Sequence, residues 1–80
     1  MPIFIQGEEF MMPLTFAPIG QAAVIRRIIG KDEVRQHLAE LGFVPGEQIT
    51  VVSSLNGNLI INVKGSRIAL DKTMAQRVML

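Results

Sequence analysis

Eighty residues, 49% hydrophobic and 19% charged, make one small domain, and a chain this short removes only about 60–65% of its unfolded surface from water. The absence of cysteine excludes disulfides and Cys-based zinc ribbons, and a single histidine excludes a multi-histidine metal cage within one chain. A net charge of +1 is too balanced for a strong electrostatic hold on nucleic acid or anionic lipid, while so high an apolar share points to association with a partner or a second copy.

The opening Met1-Pro2-Ile3-Phe4-Ile5 is apolar but short, has no basic residue before it and soon meets Glu8 and Glu9. It does not read as a secretory signal. No run approaches the roughly 20 apolar residues of a membrane helix. The expected location is therefore the cytoplasm, without direct membrane insertion. Residues 1–20 hold two acids, no base and three of the four prolines, whereas residues 21–80 hold all eight basic residues and sum to +3. This shift divides the chain into an N-terminal arm, 1–19, with one short strand near Leu14 to Ala17, and a domain, 20–80.

Ala22 to Ile29 is rich in β-branched residues and lies between Gly20 and Gly30, so it reads as one strand. Ala23, Ile25, Arg27 and Ile29 are the preferred inward set, because they bury more apolar surface than Val24, Arg26 and Ile28. Lys31 to Leu41 reads as a helix, with Val34, Leu38 and Leu41 in one stripe and Asp32 and Glu33 in the first turn, where the helix dipole favours them. Gly42 suits the left-handed position after the helix, Phe43 can then pack back on Leu38, and Pro45 stops the helix from resuming.

Val44-Pro45-Gly46-Glu47 carries the type II turn signature. Gln48 to Ser54 follows as a strand with Ile49 and Val51 on one face. Asn56-Gly57 is the strongest local signal, because both residues tolerate the positive φ of a type I′ hairpin. Asn58 to Lys64 returns with Leu59, Ile61 and Val63 on one face. Gly65-Ser66 turns the chain into Arg67 to Leu70, Asp71 caps a single helical turn over Lys72 to Gln76, and Arg77 to Leu80 ends as a strand with Val78 and Leu80 inward. The order β-α-β-β-β-short helix-β, in short strands joined by tight turns, predicts a mainly β fold, a small SH3-like barrel.

Leu38-Ala39-Glu40-Leu41-Gly42-Phe43-Val44-Pro45-Gly46 resembles the LxxLGhxPG segment, with h apolar, of the ferrous iron transport protein A (FeoA) family. Gly65-Ser66-Arg67-Ile68-Ala69-Leu70, followed by Ala75 and Val78-Met79-Leu80, resembles the family's ending, and Ala17-Pro18-Ile19-Gly20, extended by Gln21, resembles its lead-in to the first strand. The resemblance spans about residues 13–80. It implies a small SH3-like barrel of the bacterial cytoplasm that works with the membrane ferrous iron transporter B, which carries a cytoplasmic GTPase domain. The same domain ends some metal-dependent transcriptional repressors, so a metal-responsive module acting with a separate DNA-binding chain is an alternative, as is an SH3-like nucleic-acid-binding module. One departure is the tight Leu55-Asn56-Gly57-Asn58 hairpin, where many family members have a longer connection.

The residues expected to touch a partner are Phe43 and Val44, as apolar groups beside a rigid turn, and Phe10, Met11 and Met12 of the arm. Gly42 and Gly46 are explained by backbone conformation alone. His37 and Glu33 stand one helical turn apart and are weak candidates to pinch a metal together. A firm site needs three or four ligands, so the pair reads as a solvent-facing imidazole beside a carboxylate, and an iron-transport resemblance does not make this chain an iron ligand. Met1, Met11, Met12, Met74 and Met79 read as core filler or adaptable contact surface rather than soft-metal ligands. Arg26 and Arg27, adjacent on one strand, are expected on opposite faces and so in no common patch with Lys31, Arg35, Lys64 and Arg67, and nucleic acid is not an expected partner. No Cys, no Tyr, no phosphate loop and no nucleophile beside the lone histidine leave catalysis and a cofactor without support.

Overall fold

A computed structural model describes residues 11–80. Its elements run β1 (Ala22–Val24), β2 (Arg27–Ile28), α1 (Asp32–Glu40), β3 (Gln48–Leu55), β4 (Asn58–Val63), β5 (Ser66–Leu70), α2 (Lys72–Ala75) and β6 (Val78–Met79). A 3-10 turn at Leu14–Phe16 precedes them, where a strand was expected. The Phe16 and Ala17 amides donate to the Pro13 and Leu14 carbonyls at 3.0 Å each, and this tight winding drops the Leu14 side chain, fully buried, into the core.

The stretch expected as one strand changes partners halfway. The first half, β1, pairs antiparallel with β3 in a four-stranded sheet of order β1-β3-β4-β5, and the second half, β2, pairs antiparallel with β6 in a two-stranded sheet. The crossing falls between two adjacent residues. The Ile25 amide donates to the Glu47 carbonyl at 2.9 Å, and the Arg26 amide donates to the Met79 carbonyl at 2.8 Å. Ala23 and Ile25 point inward as expected, but beyond the crossing the alternation slips by one residue. Ile28 is half-buried, whereas Arg27 and Ile29 are exposed. The ladder does not close hydrogen bond by hydrogen bond into a full barrel; the core is sandwiched between the two sheets and lidded by the helices.

The strand alternation supplies that core: Ile49 and Val51 of β3, Leu59, Ile61 and Val63 of β4, and Leu70 of β5 are all buried. Asn56 and Gly57, at φ +55° and +87°, form the expected two-residue hairpin. The next turn sits one residue earlier than its glycine suggested. Lys64 and Gly65 are its central pair, at φ +53° and +79°, and Ser66 already belongs to β5 opposite Val63. A bulge between Val51 and Ser53 takes up one residue of β3 without disturbing the inward set.

Helix α1 ends as its residues dictate. The Gly42 amide donates to Ala39 O at 3.0 Å and the Phe43 amide to Leu38 O at 2.9 Å, the paired bonds of a Schellman cap. This requires Gly42 at φ +104°, a conformation costly for a residue with a Cβ. The chain then turns at Pro45-Gly46, where the Glu47 amide donates to Val44 O at 3.1 Å and the Gly46 amide to Ile25 O at 2.7 Å. That last bond ties the turn to the crossing point between the sheets.

The segment expected as a free arm is part of this packing from Met12 on. Met12 and Leu80 exchange backbone hydrogen bonds at 3.2 and 2.8 Å, Pro13 bridges to Met79, and Leu14 and Leu80 are both in the core. The packed unit thus includes Met12 to Ile19 along with residues 20–80.

Asp71 caps α2 as expected, its Oδ1 accepting the Met74 amide at 2.9 Å. Asp71→Ala should cost about 1 kcal/mol, read in a thermal melt as a fall of about 4–8 °C for a domain of this size. Asp71→Asn should keep most of that stability, because an amide oxygen caps as well.

Candidate functional site

Among the described residues no polar or charged residue is buried, and no group of three His, Cys, Asp or Glu side chains stands together to hold a metal ion. Glu33 and His37 lie exposed on α1 without a third ligand beside them. The described interior is apolar throughout, so the polar groups that could meet a ligand lie at the surface. Function is therefore sought on the surface.

A groove of about 490 Å³ lies between β2, the exposed side of α1 and the Pro45 turn. The Schellman cap and the type II turn build one wall, placing Val44 half-buried at the rim and the Phe43 ring beneath the floor. The sheet crossing builds the other. The backbone changes partners between Ile25 and Arg26, and Arg26 and Arg27 both border the groove. Arg35, from α1, is the third arginine at its border, and the lining contains no acid.

The remaining lining is aliphatic, including Ile28, Ile29 and Ala39. Ile29 is 37% exposed and lies beside the arginines rather than in the core. Asp32 pairs with Arg35 at 3.5 Å, but both side chains are solvated and such a pair is readily exchanged for another carboxylate. Arg26 and Arg27 make no ion pair among the described residues. A guanidinium fork beside apolar surface is suited to a carboxylate carried on a partly apolar chain.

Of the five residues expected to touch a partner, the structure brings only Val44 to this groove rim. Phe43 is corrected: its ring is wholly inaccessible, because the Schellman cap folds it back under Leu38. Met11 is half-buried and Met12 is 37% exposed, and β6 stands between them and β2, so they do not share the groove. Phe10 lies outside the described residues. Arg35 was set aside with the other basic residues and Ile29 was expected to point inward; the strand crossing that puts both at one groove has no local mark in Ala22 to Ile29. A second concavity of about 430 Å³ lies by the Asn56-Gly57 hairpin, bordered by the exposed Leu55 and by Ile60, Ala69 and Asp71. Of its polar members Ser53, Asn58 and Asp71, the last two are taken up holding the backbone of α2.

No helix among the described residues is long and apolar enough to cross a membrane. Residues 12–80 match the family model of the FeoA domain. A relative from Methanocaldococcus jannaschii that carries the name Fe(2+) transport protein A is 33% identical over 70 residues, covering 88% of this chain and 85% of its own. Among solved structures, an iron uptake regulatory protein (FeoA) superposes with a TM-score of 0.81 at 35% identity, covering 88% of this chain and 95% of that one. The zinc-complexed FeoA of Stenotrophomonas maltophilia, described as a prokaryotic SH3 domain protein, gives a TM-score of 0.72 at 32% identity over 84% of this chain and 86% of that one. A manganese-dependent transcriptional repressor shares the fold, with a TM-score of 0.80 at 15% identity, and the chain covers 41% of it. The turn, the hairpin and the capped last helix thus sit in a frame shared with these proteins, and the chain belongs to the FeoA family of ferrous iron transport accessory proteins, with their SH3-like fold.

Proposed function

We propose that the chain is an accessory and regulatory protein of ferrous iron uptake that acts in the cytoplasm by docking on the GTPase part of the membrane ferrous iron transporter B. One observation carries this reading: an FeoA domain over residues 12–80 presents a pre-formed groove beside a rigid turn and, among the described residues, holds no buried polar group. Such a module works by contact. The Stenotrophomonas relative is described as a candidate activating factor of ferrous iron transport, which fits contact with a transporter. The reading as a repressor module draws on fold alone, at 15% identity.

Contact alone regulates nothing. To bias turnover the chain must bind two states of the GTPase part with different affinities, and a fivefold difference is about 1 kcal/mol of coupling. The test is titration of the purified chain into the transporter's isolated GTPase domain, with binding heat and GTP hydrolysis measured together. Saturable micromolar binding that changes the hydrolysis rate is expected. Absence of binding sinks docking on this domain, and binding without a change in rate removes regulation through GTP hydrolysis.

A further inference from the structure

We propose that the groove between β2, α1 and the Pro45 turn is the docking surface itself, and that it takes an acidic segment of the partner in which carboxylates alternate with aliphatic side chains. This inference rests on the docking reading above for the partner's identity, though not for its chemistry. Arg26, Arg27 and Arg35 all border one concavity, the lining holds no acid, and the intervening surface of Ile28, Ile29 and Val44 is aliphatic. An arginine recognises a carboxylate through two parallel N–H bonds, and a rim of charges over apolar walls steers and orients an oppositely charged chain.

Nucleic acid fits the same charges less well. Single-stranded binding needs exposed rings for the bases to stack on, and the one aromatic residue at this groove, Phe43, is buried beneath it. The arginines are held by framework rather than by a loop. Arg27 pairs with Met79, Arg26 is fixed through its amide to Met79 O, and Arg35 is one turn into α1, its amide donating to Lys31 O at 3.0 Å. The groove is thus formed before a ligand arrives, which lowers the ordering cost of binding.

The test compares the Arg26→Glu/Arg27→Glu double variant with Arg67→Glu, a charge reversal on β5 outside the groove, in the same GTPase titration. The double variant should bind about tenfold more weakly or worse, and Arg67→Glu within about twofold of the parent. All three should melt alike, since the replaced side chains are exposed. Parent and double variant binding equally well overturns the groove while leaving docking intact. A second arm does not depend on the transporter. An amide-proton NMR titration with the synthetic peptide acetyl-(Glu-Leu-Glu)₃-amide should shift resonances of residues 26–29, 35 and 44, less so at high salt, whereas its lysine counterpart should not. Shifts produced instead by oligo-uridine overturn the peptide assignment in favour of nucleic acid. A change at the same resonances in free Glu8→Lys/Glu9→Lys protein would show that the chain's own N-terminal acids occupy the groove, and would overturn it in favour of an internal ligand.

Discussion

Phe43→Ala should destabilise the domain by about 3–5 kcal/mol. An 80-residue domain commands only about 4–12 kcal/mol in total, so the variant should be largely unfolded or close to it. The size of the effect follows from three facts that act together. The ring is wholly inaccessible, it is the largest of the fully buried side chains, and its backbone position is fixed by the bond from its own amide to Leu38 O. The cap sets the chain direction at residue 43, so neighbours cannot slide in to fill the hole left by alanine. Val44→Ala is the comparison. Its side chain is only half-buried at the rim and should cost less than about 1.5 kcal/mol. Urea denaturation reads both, with midpoints converted through a slope of about 1–3 kcal/mol per molar. Equal midpoints for the two variants would show that the ring is not seated as described. The contrast also decides how docking is to be probed. A charge at residue 43 would unfold the domain rather than block a contact, whereas changes at Val44, Arg26 and Arg27 leave the core intact.

Some of this architecture was legible because its causes are local. Gly42 has one conformational advantage, and the cap, the return of Phe43 and the stop at Pro45 follow from it within four residues. Asn56-Gly57 sets a hairpin and thereby the register of β3 and β4, and Asp71 needs only the next three residues to cap α2. The failures come from causes that lie elsewhere in the chain. Ala22 to Ile29 is uniformly favourable to a strand, and nothing within it marks the change of partner at Ile25–Arg26. That change is imposed by Glu47 on one side and Met79 on the other, residues more than twenty and fifty positions away. The groove was illegible for the same reason, since two adjacent arginines border one concavity only where the strand leaves one sheet for another. The turn at Lys64-Gly65 was misplaced by one residue because a lysine at positive φ has no signature of its own. Burial of Phe43 followed from the Schellman reading, whereas its place beside a rigid turn suggested an exposed anchor, and the packing favours the first.

Leu14 gives the second large effect. It sits in a segment whose prolines and lack of basic residues suggested an arm outside the domain, yet its side chain is completely buried among residues from both sheets and α2 lies against its turn. Leu14→Ala should therefore cost about 2.7–5 kcal/mol, a fall in melting temperature of about 10 °C or more for a domain of this size. Met12 is two residues away and paired to Leu80 through the backbone, and it is 37% exposed. Met12→Ala keeps both backbone bonds and should stay within about 1 kcal/mol of the parent. The pair distinguishes two pictures of the N-terminal segment. If it were only draped over the domain, both variants would melt with the parent. A fall confined to Leu14→Ala would place the true start of the folding unit at the strand-like contact with β6, because a leucine can be worth that much only where the backbone on either side of it is already held. Removing the segment through Leu14 should then expose the ends of β6 and the apolar face of α2, and the truncated chain should lose cooperative melting rather than merely melt earlier.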